Sequence, residues 1–321
     1  MSVRSTAGYR IRSFVLALVV FIMMIELPTL LSAAVLDFVE TVSIQWGGYE
    51  AYAAAFTYLS SNPNVFSAVV YLLFGIVVFA WVLGMCRRGH RVEGAAPDAG
   101  AVGEPIADAA APVHATQLGF ASPTPEPPAQ VSFRVRGVPR AVWFDTVLLA
   151  LGMQFVTTLL MTLVLLLFPA AMEEYRSMID ASGVSEYGIA WFLATVVLPP
   201  IVEETGFRGL GLTYLKRAGV PFAVANVLQA VAFGIFHMNL TQGIYTCVLG
   251  LFMGYAAHAS GSIVPVMLLH AVYNFMGTMG QELLYAVVPW MPYWFEVGLG
   301  VVLVIVAVLS LRDRGVQRRR S

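Results

Sequence analysis

The chain has 321 residues, of which 59% are hydrophobic and only 12% charged, with a formal net charge of −1. A soluble domain is roughly half apolar and a quarter charged, so this balance excludes an ordinary soluble fold and points to an integral membrane protein. The near-zero charge also excludes the strongly basic surface that a nucleic-acid partner requires.

Eight apolar runs reach or approach the roughly 20 residues needed to cross a bilayer as a helix. They fall at 13–35, 64–86, 141–168, 188–214, 220–237, 242–259, 262–282 and 292–311. The expected fold is all-α, a polytopic membrane helix bundle of about eight transmembrane helices. The first run follows Arg10 and Arg12. It is longer than a signal-peptide core of about 7–15 residues and reads as an uncleaved anchor. Residues 1–86 are thus an N-terminal two-helix membrane segment. Residues 87–140 contain GAAPDAGAVGEPIADAAAP and ASPTPEPPAQ, which offer too little burial to offset their ordering entropy. They are expected to form a long disordered cytoplasmic loop between helices 2 and 3. Residues 141–312 carry the remaining spans and 313–321 a basic cytoplasmic tail. Cys86 and Cys247 lie in or beside apolar runs and suggest no disulfide framework.

Positive charge sets orientation. Arg4, Arg10, Arg12, Arg87, Arg88, Arg91, Arg134, Arg136, Arg140, Lys216, Arg217, Arg312, Arg314 and Arg318 to Arg320 all fall on one side if there are eight spans. The opposite loops hold Asp37, Glu40, Glu173, Glu174, Asp180 and Glu186 against Arg176. A multi-pass protein of the cell membrane with both termini cytoplasmic satisfies this pattern.

Ionisable groups inside spans are costly and mark function. In the fourth span, PPIVEETGFRGL places Glu204 and Arg208 four residues apart, on one helix face and able to pair. Glu203 points about 100° away and is left outside that pair. Pro199 and Pro200 break the local ladder just upstream. The fifth span ends in AFGIFHMN, with Phe233 and His237 four apart, and holds Asn226 and Gln229 as interhelical hydrogen-bonding groups. The seventh carries LLHAVYNF, with His270 and Asn274 four apart. A general base, a group to orient it and donors for a developing oxyanion are what addition of water to a peptide carbonyl requires.

These residues resemble the CPBP family of intramembrane proteases, also called Abi or CAAX-protease-like. EETGFR fits its EExxxR motif, FGIFH its FxxxH motif and HAVYN its HxxxN motif, in family order over about Trp191 to Gly277. The resemblance implies an intramembrane endopeptidase whose catalytic transmembrane core is 141–312. It implies that Glu203 activates water with help from His237, and that Glu204 and Arg208 hold the helix and its electrostatics. His270 and Asn274 would stabilise the oxyanion. It also implies access from the cytoplasm and a peptide or protein substrate in or near the lipid bilayer, with lipidated or membrane-anchored substrates among the options, since the family includes the endopeptidase that trims prenylated CAAX proteins. No cofactor is favoured. A zinc mechanism on Glu203, His237 and His270 is the alternative, since zinc accepts such ligands, although no HExxH helix is present.

A proton-coupled transporter and a non-enzymatic immunity protein are the rival classes. The polar spans four, five and seven do not repeat between two halves, which counts against the transporter. Gly250 and Gly254 form a GxxxG expected to allow close helix packing. MEEYR at Glu173 is read as a solvated acidic face of an outer loop. Glu26 is expected to face the outer interface.

Overall fold

Helix ends in this chain are set by proline and glycine more than by polarity. The structure, a computed structural model, describes residues 6–93, 133 and 135–320. Helix α1 runs Ala7–Ser60 and α2 Pro63–Glu93; α3 is Arg140–Leu167 and α4 Pro169–Ala181. Helix α5 covers Ile189–Arg217, α6 Phe222–Phe236 and α7 Leu240–Ser260. Val264–Phe275, Met276–Gly280 and Gln281–Val287 run on as α8, and Tyr293–Arg320 is α9. No strand occurs among the described residues.

All eight expected apolar runs are helical, and six of these helices are long and apolar enough to cross a membrane. Helix α6, at 15 residues, is about 22 Å long. That is shorter than the roughly 30 Å hydrocarbon layer.

Three boundaries differ from the sequence expectation. Helix α1 extends to Ser60 instead of ending near residue 35, with no proline between Pro28 and Ser60 to stop it; its one residue with non-helical backbone angles is Gly48 (φ 71°, ψ −170°), where it kinks. Helix α2 continues to Glu93, and most of the loop expected to be disordered lies outside the described residues. The outer loop around Glu173 is the amphipathic helix α4, opened by Pro169 at its first turn and packed inward through Met172.

Both ends of the described chain lie on one face. The Arg10 guanidinium donates to the Ala218 carbonyl at 3.0 Å, and Arg314 pairs with Asp145 at 2.9 Å. The first joins the ends of α1 and α5 and the second those of α3 and α9; Gly315 of α9 lies against Ala259 at the end of α7, where His258 stacks on Phe222 at the start of α6. On the other face, Asn64 Nδ2 donates to the Gly183 carbonyl at 2.7 Å and Thr241 Oγ1 to the Ala171 carbonyl at 2.9 Å.

Helix α5 is the most enclosed, and Phe207, Leu210 and Leu215 on it are fully buried together with Met253, Val266 and Leu269. Helices α6 and α7 pack closely through the expected GxxxG. A Cβ at Gly250 would stand 3.2 Å from Ala230 Cα, and one at Gly254 would fall on the Asn226 carboxamide. Asn226 Nδ2 donates to the Leu251 carbonyl at 2.9 Å and Gln229 Nε2 to Gly250 at 2.9 Å. The two amides thus satisfy main-chain carbonyls across the helix pair, as expected of interhelical polar groups. Gly254→Ala should therefore lower stability by about 1–3 kcal/mol through overpacking, measured as a fall in the unfolding midpoint of the full chain in detergent. An unchanged midpoint would show that the pair has slack.

Candidate active site

The local chemistry begins at two prolines. Pro199 and Pro200 carry no backbone N–H, so the helix cannot supply a donor to the Thr195 carbonyl at either the i+4 or the i+5 position. The chain responds with a π-helical stretch over Phe192–Val197, in which Leu198 N–H reaches back to Leu193. Asn274 Nδ2 on α8 then donates to the orphaned Thr195 carbonyl at 2.9 Å. This bond ties α8 to α5 and spends part of the donor capacity of Asn274.

One turn later, Glu203 is 2% exposed, Glu204 0% and Arg208 3%. Arg208 Nη1 donates to Glu204 Oε1 at 3.0 Å, the pair that the four-residue spacing anticipates. The guanidinium also lies 4.3 Å from the centre of the Phe233 ring and reaches the Gly250 carbonyl through Nη2 at 3.4 Å. A desolvated cation over an aromatic face is worth about 2 kcal/mol. Glu204 Oε1 also accepts from His270 Nδ1 at 2.9 Å. A carboxylate paired with Arg208 is an acceptor only, so His270 carries its proton on Nδ1. Nε2 is then the atom turned toward Glu203, 3.8 Å from Oε2. That separation is too long for a hydrogen bond.

Glu203 and Glu204 each leave Oε2 buried with no hydrogen-bond partner, but of the two only Glu203 borders a cavity, and its Oε1 accepts from the Tyr71 hydroxyl at 2.6 Å. Glu203, His237, His270 and Asn274 all line one cavity of about 440 Å³. His237 is half-buried at the end of α6, with Nδ1 2.9 Å from the Phe233 carbonyl. A carbonyl only accepts, so His237 too bears a proton on Nδ1 and offers Nε2. The Phe233 ring stands between the two imidazoles, edge-on to both at 5.0 and 5.9 Å. The structure therefore gathers Glu203, His237, His270 and Asn274 at the cavity and sets Glu204 and Arg208 behind them.

Residues 185–276 match the family model of the type II CAAX prenyl endopeptidase Rce1-like proteins. This segment belongs to the CAAX-protease-like (CPBP) family. It is under a third of the chain and covers α5, α6, α7 and most of α8. No curated protein and no solved structure is similar enough to the chain to match.

The family segment leaves out part of the cavity wall. Tyr71 lies on α2, 132 residues from Glu203 in sequence, and nothing in its apolar surroundings marks it. Gln154, Thr157 and Tyr175 on α3 and α4 also line the cavity; polar residues within an otherwise apolar α3 were the available signal. MEEYR is partly a solvated face, with Glu173 and Arg176 3.8 Å apart and exposed, but Arg176 also borders the cavity. Glu26 is exposed, as expected, and is not part of the cavity wall.

No group of three or more His, Cys, Asp or Glu among the described residues could hold a metal ion. The Nδ1 atoms of His270 and His237 are engaged by Glu204 and Phe233, which leaves Nε2 of each as the nitrogen available at the cavity.

The two adjacent carboxylates should respond oppositely to neutralisation. Glu204→Leu strands the buried Arg208 and should cost about 3–5 kcal/mol. Glu203→Gln removes a carboxylate whose outer oxygen has no partner and should leave stability nearly unchanged. Detergent unfolding of the two variants, in which equal losses were found, would refute this division.

Proposed function

We propose that the protein is an intramembrane endopeptidase of the cell membrane that hydrolyses a peptide bond with a water activated by Glu203. The single observation that carries this reading is that Glu203, the carboxylate on the cavity wall, keeps an unpartnered oxygen 3.8 Å from His270 Nε2. A water seated between Glu203 Oε2 and His270 Nε2 would lie within reach of both.

Attack proceeds as Glu203 takes a proton from this water while its oxygen bonds to the substrate carbonyl carbon. The carbonyl oxygen becomes an oxyanion. Asn274 has a second amide N–H beyond the one given to Thr195 and donates it to the oxyanion, while His270 Nε2 accepts a hydrogen bond from the attacking water and orients it. Collapse breaks the C–N bond, and the proton held on Glu203 passes to the leaving amine. His237, whose free Nε2 borders the same space, assists the proton transfers. Glu204 and Arg208 act as positioning residues, Glu204 by fixing the tautomer and orientation of His270 as a carboxylate does for an imidazole in hydrolytic triads. Tyr71 positions Glu203 by holding Oε1 and leaving Oε2 for water. The mechanism uses protein groups alone.

The face carrying Arg10, Lys216, Arg217 and Arg314 is assigned to the cytoplasm from its excess of basic residues. Both termini are then cytoplasmic. Peptide or protein substrates reach the site from within or beside the bilayer, and no nucleic acid is involved.

Cleavage of membrane-anchored peptides by purified protein should be abolished in Glu203→Gln and His237→Ala, with folding retained; wild-type rates in both variants would end the protease reading. Tyr71→Phe deletes a hydrogen bond to a charged group, worth about 1.5–3 kcal/mol. It should lower kcat/KM by about tenfold to a hundredfold with most of the loss in kcat. Activity should survive exhaustive chelation, and loss restored by added zinc would favour the metal mechanism instead.

A further inference from the structure

The cavity that holds Glu203 has a direction. Its wall runs from Glu203 and His270 to Arg176 and Asp180 on α4, and both of these are exposed. None of its lining residues comes from the ends of α1, α3, α5 or α9 at the face carrying the chain ends. On that side the site is closed. Leu210, Leu215, Met253 and Val266 are fully buried there, and the Asn226–Gln229–Gly250 hydrogen bonds seal α6 against α7.

The wall between Glu203 and the α4 rim is also unusually polar for a membrane interior, with Gln154, Thr157, Gln242, Thr246, Thr278 and Gln281 along it. Gln154 is 8% exposed. Its Nε2 donates to Gln281 at 3.4 Å, while its Oε1 is buried without a partner. A buried carbonyl oxygen left unpaired is costly, and a backbone N–H of a bound peptide is the group that would satisfy it. Amides and hydroxyls spaced along a channel suit an extended main chain, whose own N–H and C=O groups must be satisfied away from water.

We infer that the substrate is a polar, extended peptide segment that reaches Glu203 from the α4 face, opposite the chain ends. This rests on the endopeptidase reading and deepens it. With the basic face in the cytoplasm, the α4 face is extracytoplasmic, which reverses the cytoplasmic access that the family resemblance implied. Glu203 lies about 14 residues along α5 from Ile189, a depth of about 20 Å at 1.5 Å per residue. At about 3.4 Å per extended residue, some six residues of substrate would fill the path. The scissile bond then belongs to an extracytoplasmic peptide, or to the extracytoplasmic flank of an anchored protein.

The test uses the full chain with Cys86 and Cys247 replaced by Ala, in right-side-out and in inverted membrane vesicles, with a charged, membrane-impermeant thiol reagent as probe. Thr195→Cys reports the inside of the cavity, Ser177→Cys the α4 face and Arg312→Cys the opposite face. Thr195→Cys should be labelled from the same side as Ser177→Cys and not from the side of Arg312→Cys. Labelling from the Arg312 side, from both sides or from neither would overturn the inference, whatever the protein's activity. A quenched pool of unlipidated peptides should then be cleaved only when added on the Ser177 side, in a Glu203-dependent manner. Labelling as expected without cleavage, in vesicles and in detergent alike, would leave the direction of access in place and defeat the hydrolase reading with its substrate class.

Discussion

The cost of placing ionised groups in hydrocarbon governs this molecule. Two carboxylates and a guanidinium sit fully enclosed near the middle of α5, and the arrangement is sustained because each has a defined neighbour. Arg208 is neutralised by Glu204, roofed by the Phe233 ring and anchored to the Gly250 carbonyl. Glu204 uses the same oxygen to hold His270. The charge cluster thus fastens α5 to α6, α7 and α8 at one point, and it is the reason those helices converge. Glu203 is set apart from this structural pair by lying on the cavity wall, tethered by one oxygen to α2 and unpartnered at the other.

Backbone chemistry shapes the same region. The adjacent prolines would leave an unsatisfied carbonyl in the membrane interior, and Asn274 answers it from another helix. The π-helical stretches on either side of the glutamates, Phe192–Val197 and Thr205–Gly211, alter the facing of residues within a single helix. The small residues Gly206 and Gly211 admit Met24 and Phe21 of α1 against α5, closing the wall on that flank. The result is a helix that is sealed on one side of its charged turn and bordered by the cavity on the other.

Much of this was legible in the residues. The four-residue spacing of Glu204 and Arg208 predicted their pair, and the 100° turn between Glu203 and Glu204 predicted their separation. The GxxxG at Gly250 and the amides of α6 predicted the close α6–α7 packing. Other features were not legible. Tyr71 is one tyrosine among many in apolar sequence, and only the fold brings it to Glu203. The bond from Asn274 to Thr195 could have been anticipated from the two prolines, but not its donor. Helix α1 outran its hydropathy because polarity alone does not stop a helix. The acidic residues of the α4 segment read as an outer loop, a reading that leaves out the apolar spacing of Met172, Tyr175 and Ile179 that accompanies the helix. The direction of the cavity could not be read from spans that are all apolar.

The most direct test of the central claim is an experimental structure of the protein with a peptide phosphinate bound as a mimic of the tetrahedral intermediate. One phosphinyl oxygen should lie between Glu203 Oε2 and His270 Nε2, with Glu204 still paired to Arg208. A phosphinate bound away from Glu203, or Glu203 itself turned onto Arg208, would contradict the account.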